Sequence, residues 1–519
     1  PRLKIFRKNM SSVPEKINEF WTATAPLVRH DNLPRTVPCG PGFKKQESMM
    51  KTAYRYLIII LSCTLLLSAC ALGPDYQRPE LNTPVTYKQD APWKQATPLD
   101  HLDKGPWWEL YEDPELDRLE ELTVQNNQSL QSALSRVEQA RAIAGIGKAA
   151  LLPWFDLDPS VNRSRTSADL SSDGQGSTST TYSVPLVMSY EIDLWGRVRR
   201  NIEAVQADLA ATEADFSNLL LSLQADVARA YFNLRTTDEQ ILLLQETARL
   251  RQENFNLINS MFKHGESDAL AVRWAETELA TTRAEVVALQ KQRDEYEHAL
   301  AVLTGQSPST FSMEQANVTF NTVAVSPGLP SSLLERRPDV AAAERAMAAA
   351  SARIGVAKTA FFPSISLTGN AGYASTETGN LFNWDNRTWG LGPAISLPLF
   401  DGGINNARLR QARGAYEEAV ANYRQQVLIA FADVEDALSG LHYLDQQADF
   451  MHQAVVAAQE AAEISGKRYR AGLVGYLEVI DSERTSLGVQ RQHLQIVNLQ
   501  HQASISLVKA LGGGWQSSR

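Results

Sequence analysis

The sequence predicts an α+β membrane protein with an internal two-fold repeat, in which β-hairpins alternate with long helices. Three observations carry that prediction. The stretch "GIGKAALLPWFDLDPS" (145–160) returns as "GVAKTAFFPSISLTGN" (355–370), with Gly145, Lys148, Ala150 and Pro153 matched by Gly355, Lys358, Ala360 and Pro363. After each proline the apolar period becomes two, as in a half-buried strand. Beyond each two-period region lies a long segment, 197–264 or 404–471, that contains no proline.

The amino-terminal portion reads as something other than this fold. Residues 1–48 show no periodicity and are expected to be an upstream extension outside the mature protein. From Met49, Lys51 and Arg55 precede the apolar run Tyr56–Leu67 and then small residues. That is the layout of a signal peptide (49–69), and the run is shorter than the ~20 residues a spanning helix needs. Cys39 and Cys63 fall before the expected cleavage point, so Cys70 would be the only mature cysteine, and an intramolecular disulfide is excluded. Leu67-Ser68-Ala69-Cys70 resembles the bacterial lipobox, which makes Cys70 the expected lipidation site. Ala71 in second place implies, by resemblance to sorted lipoproteins, the outer membrane. The chain carries a formal charge of −9, and the leader is its basic part, which argues against a nucleic-acid binder.

Residues 70–114 are then an N-terminal lipid-anchored segment. Repeat 1 covers 115–310: a helix, a hairpin at 153–195, a long helix at 197–264 and a return helix at 269–303. A linker occupies 311–332. Repeat 2 covers 333–515, with a hairpin at 363–400, a long helix at 404–471 and a return helix at 476–511. Further matches support the pairing: "ADV" at 225–227 and 432–434, and "FKHG" at 262–265 against "YRAG" at 469–472. A unit of this size is a duplicated domain rather than a short-repeat solenoid.

In the hairpins, Tyr182, Val184, Leu186, Met188, Tyr190 and Ile192 share one face, and Ser183, Ser189 and Glu191 the other. Ile365 and Leu367 alternate with Ser364, Ser366, Thr368 and Asn370. Ser-, Thr-, Gly- and Asn-rich loops separate the strands. Each long segment, at about 1.5 Å per residue, spans on the order of 100 Å. The return helices are half that length, so the helix before each hairpin is expected to cover the other half. Gly265 and Gly472 follow the long helices, where a left-handed residue commonly ends a helix.

Four strands with an apolar outside cannot stand alone in lipid, because every backbone polar group there must be paired. Small barrels need about eight strands, so this chain is expected to close its sheet with copies of itself. The alternation then turns Asp156, Asp158, Glu191 and Asp193 toward the pore or its rim.

Other motifs fall away. "GIGK" lacks the remaining glycine and the Ser/Thr of a phosphate loop, with Ala142 and Ala149 in those places. The mature histidines show no metal-ligand spacing, and no GxSxG is present. The chain is therefore expected to be no enzyme and to need no cofactor or metal.

The segments "GPDYQRP" (73–79), "WWELYEDPELDRL" (107–119), "SYEIDLWGRVRR" (189–200), "LPSSLLERRPDVAAAER" (329–345), "LPLFDGG" (397–403), "YLEVIDSERTSL" (476–487) and "VKALGGGW" (508–515) resemble the TolC/OprM-type outer-membrane efflux proteins, in their lipoprotein (NodT-like) branch. The resemblance covers 70–515 in family order. It implies a homotrimer: a 12-stranded outer-membrane β-barrel, four strands per chain, continuous with a periplasmic α-helical barrel. It also implies the exit duct of a tripartite efflux pump, joined by a periplasmic adaptor (membrane fusion) protein to an inner-membrane transporter, usually proton-driven and of the RND type. The tip turns, with Gly265, Gly472 and Gly475, would be the periplasmic end and the adaptor contact. Tyr469 and Asp481 match the family's constriction in spacing, and Glu478 joins them as a gate candidate. One Asp481 per chain would form a ring of like charges, unstable unless partnered. Repeat 1 offers Trp274 and Ala271 where repeat 2 has Asp481 and Glu478. Val474 stands where some relatives place an arginine, which leaves the gate's ion-pair lock unassigned. An alternative from another class is a lipid-anchored periplasmic helical scaffold without a pore.

Overall fold

The computed structural model describes residues 71–79, 105–170, 175–316 and 337–513. The expected leader, Cys70 and much of the linker lie outside the described residues.

After a 3-10 turn at Trp107–Tyr111 come α1 (Pro114–Asn126) and α2 (Gln128–Ala149). The single helix expected here is interrupted at Asn127. Its extended backbone (φ −62°, ψ 123°) ends α1, and its side-chain oxygen accepts the Leu130 N–H, which starts α2. The same residue's amide donates to the Leu303 carbonyl at 2.8 Å, so the break is also a tie to the end of the return helix.

The first strand is likewise divided, into β1 (Trp154–Leu157) and β2 (Ser160–Thr166). Pro159 has no N–H for the ladder, while Asp158 still donates to the Pro185 carbonyl at 3.0 Å. Both pieces pair antiparallel with β3 (Ser177–Ile192). The second hairpin is β4 (Ser364–Ser375) and β5 (Arg387–Ser396), and β4 pairs with β3. The two hairpins thus form one sheet in the order β1/β2–β3–β4–β5.

The long helices are α3 (Arg197–Lys263) and α6 (Ile404–Arg470). Their return helices are α4 (Ala269–Leu303) and α7 (Tyr476–Ala510). The helix α5 (Pro338–Thr359) precedes the second hairpin, with proline in its first turn, where a missing N–H costs nothing. α3 packs against α2, α4 and α5, and α6 packs against α5 and α7. α5 therefore lies against both long helices, an arrangement that the repeat pattern did not indicate.

The largest core sits midway along α3. Trp107, Tyr111, Leu116 and Leu119 pack there on Leu221, Tyr231 and Phe232, with Leu300, Phe311, Met313, Ile505 and Val508 closing it. Trp107 is 2% exposed, so the Trp107-Trp108 pair supplies packing. Segment 71–79 docks higher up: Leu72 donates to the Trp195 carbonyl (3.0 Å), Asp75 pairs with Arg200 (2.6 Å) and Arg78 donates to the Tyr423 hydroxyl (2.9 Å).

Candidate functional site: the sheet and the helical tip

The register fixes the two faces of the sheet, because directly paired residues point the same way. On one face Phe155 and Leu157 lie opposite Met188 and Leu186, Val161 opposite Tyr182, and Tyr190 opposite Leu367. Ile365 opposite Ile395, and Ala371 opposite Trp389, continue it. Among the described residues nothing covers this face: Leu157, Val161 and Leu391 are each 65% exposed. The other face carries Ser160, Asn162, Thr181, Ser183, Ser189, Ser366, Thr368 and Asn370. The strands β1/β2 and β5 each keep one unpaired edge within the chain.

Asp156 lies on the hydroxyl-rich face, opposite Val187, and is exposed, as is Asp158. Glu191 shares that face opposite Ser366 and makes a two-toothed pair with Arg197, one tooth at 2.6 Å. Asp193 lies just past β3 and accepts the Val198 and Arg199 N–H groups at 2.9 and 3.0 Å. Asp401 does the same before α6, accepting from Gly403 (2.8 Å) and Asn405 (2.9 Å). Each long helix therefore begins with an aspartate satisfying orphan donors, next to a glycine in the left-handed region: Gly196 at φ +80° and Gly403 at φ +90°.

The recurring "G–K" motif marks the same junction. A Cβ on Gly355 would fall 2.9 Å from the Leu72 carbonyl oxygen and 2.9 Å from Arg200 Cγ, whereas one on Gly145 would meet nothing. The glycine is sterically required in the second copy alone, where segment 71–79 passes over it.

At the other end of the helices, both tip turns close with glycine in the left-handed region, Gly265 at φ +78° and Gly472 at φ +70°. Gly475 precedes α7 and leaves its first turn without a side-chain cap. Tyr469 packs against Tyr476, with ring centroids 5.5 Å apart, in a tip cluster that includes Ile258, Ala275, Val479 and Ile480. Burial raises the Tyr469 phenol above its ordinary value. Glu478 is paired with Arg468 at 3.0 Å. Asp481 stands exposed one turn further along α7. The structure thus brings Tyr469 to Tyr476 and Glu478 to Arg468, and leaves Asp481 outside both pairs. Trp274, at Asp481's position in repeat 1, packs into the tip cluster.

Sequence reasoning missed Arg468, which supplies a cation where Val474 does not. It also missed a buried network just above: Glu278 is held by Arg251 (3.1 Å) and by Arg484, and Glu483 accepts from Asn254 at 3.3 Å. The only signal was a pair of arginines in otherwise apolar-periodic helices. Among the described residues no group of three or more His, Cys, Asp or Glu could hold a metal ion, and no helix is long and apolar enough to cross a membrane.

A sheet with one apolar and one hydroxyl-rich face, mounted on long helices none of which, among the described residues, is apolar enough to cross a membrane, fits the class of β-type membrane channels with a helical extension. The chain belongs to the outer membrane efflux protein family, whose model matches residues 119–306 and 329–513. It is similar to the outer membrane protein OprJ of Pseudomonas aeruginosa, 32% identical over 474 residues, covering 91% of this chain and 98% of that protein. It is also similar to the cation efflux system protein CusC of Escherichia coli, 33% identical over 454 residues, covering 87% of this chain and 97% of that protein. Among solved structures, the open state of the outer membrane channel MtrE of Neisseria gonorrhoeae superposes with a TM-score of 0.75 at 32% identity, covering 86% of this chain and 98% of that one. The chain is an outer-membrane efflux channel.

Proposed function

We propose that this chain is the exit duct of a tripartite pump, a homotrimer whose three four-stranded sheets close one 12-stranded barrel above a tunnel of α3 and α6 helices. Substrates pass through it passively, delivered by an inner-membrane transporter, of the proton-driven RND type, through a periplasmic adaptor. The observation that carries this reading is the uncovered apolar face together with two unpaired strand edges. In lipid each open edge exposes backbone groups that cost several kcal/mol apiece when unsatisfied, roughly, and ring closure removes both edges. An acylated Cys70 anchors the chain, and segment 71–79 runs from it along the sheet-to-helix junction. The tip turns around Gly265, Gly472 and Gly475 meet the adaptor. Tyr469, Glu478 and Asp481 form the periplasmic gate, and Asp156, Asp158, Glu191 and Asp193 give the wet passage its acidic lining. The two hairpin-and-helix units are the products of a duplication. The test is single-channel recording of the purified chain in planar bilayers, with its mass measured in detergent. Conducting, heat-resistant trimers are expected. A soluble monomer after delipidation, with no conductance, overturns the reading.

A further inference from the structure

The charged residues of the strands sort by face and by end. The acids Asp156 and Glu191 lie on the hydroxyl-rich face, near the helices. The bases Arg163, Arg165 and Arg387 all lie on the opposite, apolar face: Arg163 and Arg165 opposite Thr180 and Thr178, and Arg387 opposite Tyr373. Among the described residues no strand carries a lysine. All three arginines stand at the end of the sheet remote from the helices, next to the 3-10 loops at Ala168–Leu170 and Trp384–Asn386.

We infer that these arginines form a docking site for the phosphorylated headgroup of a lipid in the outer leaflet. The inference rests on the proposed reading of the sheet as a membrane-spanning ring. An arginine on the lipid face is costly at the bilayer midplane and nearly free near the interface, so this placement is tolerable only at the rim. Trp389, 78% exposed and two residues along β5 from Arg387 on the same face, and Tyr182, next to Val161 in register, mark that interfacial level with the aromatic girdle expected of such barrels. A guanidinium presents a planar fork that matches phosphate oxygens.

Two of the three side chains, Arg165 and Arg387, are held by neutral groups. Arg165 donates to the Thr178 hydroxyl at 3.5 Å. Arg387 donates to the Trp384 carbonyl at 2.8 Å and lies over the Trp384 ring, 4.5 Å from its centroid. Among the described residues no ion pair joins any of them to a carboxylate. The nearby loops do contain acids: Asp169, Asp385 and Glu377, the last accepting from Asn380 at 3.0 Å. Arg163 and Arg165 sit on one edge strand and Arg387 on the other. Closing a ring of copies apposes those edges, so each site draws Arg163 and Arg165 from one copy and Arg387 from the next.

The experiment uses the full chain purified in mild detergent and read by native mass spectrometry and by the temperature at which the oligomer dissociates. Three probes are compared: an acylated glucosamine disaccharide bearing phosphates, its dephosphorylated counterpart, and inorganic phosphate. Selective retention of the phosphorylated lipid is expected, with a higher dissociation temperature. The double variant Arg163→Thr/Arg165→Thr is expected to weaken retention about tenfold or more, which corresponds to about 1.4 kcal/mol, with unchanged conductance. Arg163→Lys/Arg165→Lys, which keeps charge and fold but loses the fork, is expected to lie between. Equal retention of the two lipids, unchanged retention in both variants, or full competition by inorganic phosphate overturns the proposal. A parent that conducts nothing in bilayers overturns the channel reading itself, and the proposal with it.

Discussion

Arg468 and Glu478 form an ion pair across the second tip turn, joining the last turn of α6 to the first turn of α7 at 3.0 Å. Both side chains are about half exposed, at 51% and 47%, so the pair contributes at most about 1 kcal/mol and weakens with salt. It engages Glu478, whereas Asp481 lies outside the pair, in the field of the Arg484 guanidinium. Asp481→Ala channels are therefore expected to show a higher resting conductance in planar bilayers, and Arg468→Ala a smaller, salt-dependent change. Leak equal to the parent's in Asp481→Ala would remove Asp481 from the gate.

Gly73 has φ +117°, and a Cβ there would lie 2.5 Å from the Gly355 Cα. Backbone strain and a backbone clash coincide, so no side-chain movement relieves the substitution. Gly73→Ala is expected to detach segment 71–79 from the junction, with a loss of about 1–3 kcal/mol. Limited proteolysis near residue 79, faster than in the parent, would report it.

Two buried groups in the mid-helix core pull stability in opposite directions with pH. Glu120 is fully buried and neither carboxyl oxygen has a hydrogen-bond partner among the described residues, and burial raises it well above the ordinary 4.5. Its contribution is fully present below pH 4.5 and is lost as pH rises from there toward the folded value. Glu120→Gln is expected to melt higher than the parent at pH 7, with the difference vanishing below pH 4.5.

His501, 2% exposed and stacked on Phe232 at 4.6 Å, is pushed down by burial from 6.5 to about 4. Its contribution is present above pH 6.5 and is lost as pH falls to about 4. His501→Phe is expected to flatten the melting profile across that window. A profile as steep as the parent's would exclude this histidine as the cause.

Asp193 and Asp401 cap the two long helices. Asp193→Ala and Asp401→Ala are each expected to cost about 0.5–2 kcal/mol, read from urea titration of the helical signal. Asp193 should be the costlier, because it is 12% exposed and also holds the Arg199 guanidinium at 3.1 Å.

Much of this was legible locally. The change from helical to two-residue period after Pro153 and Pro363 located the hairpins, because side-chain direction follows backbone period wherever one face must leave water. The proline-free segments gave the long helices, and Asp156 and Glu191 could be assigned to a face by alternation alone. The breaks at Asn127 and Pro159 were underestimated. Asn127 follows a polar run without losing helical spacing, and Pro159 interrupts a ladder whose side-chain alternation continues across it.

What the amino-acid order alone determined, then, is the set of elements and the sidedness of each, since period, proline and glycine act within a few residues. Only the tertiary structure decided that α5 lies against both long helices, that Gly355 rather than Gly145 must lack a side chain, and that Arg468 rather than position 474 meets Glu478. These depend on which distant backbones approach closely. That approach is set by packing between segments far apart in the chain, and no local pattern encodes it.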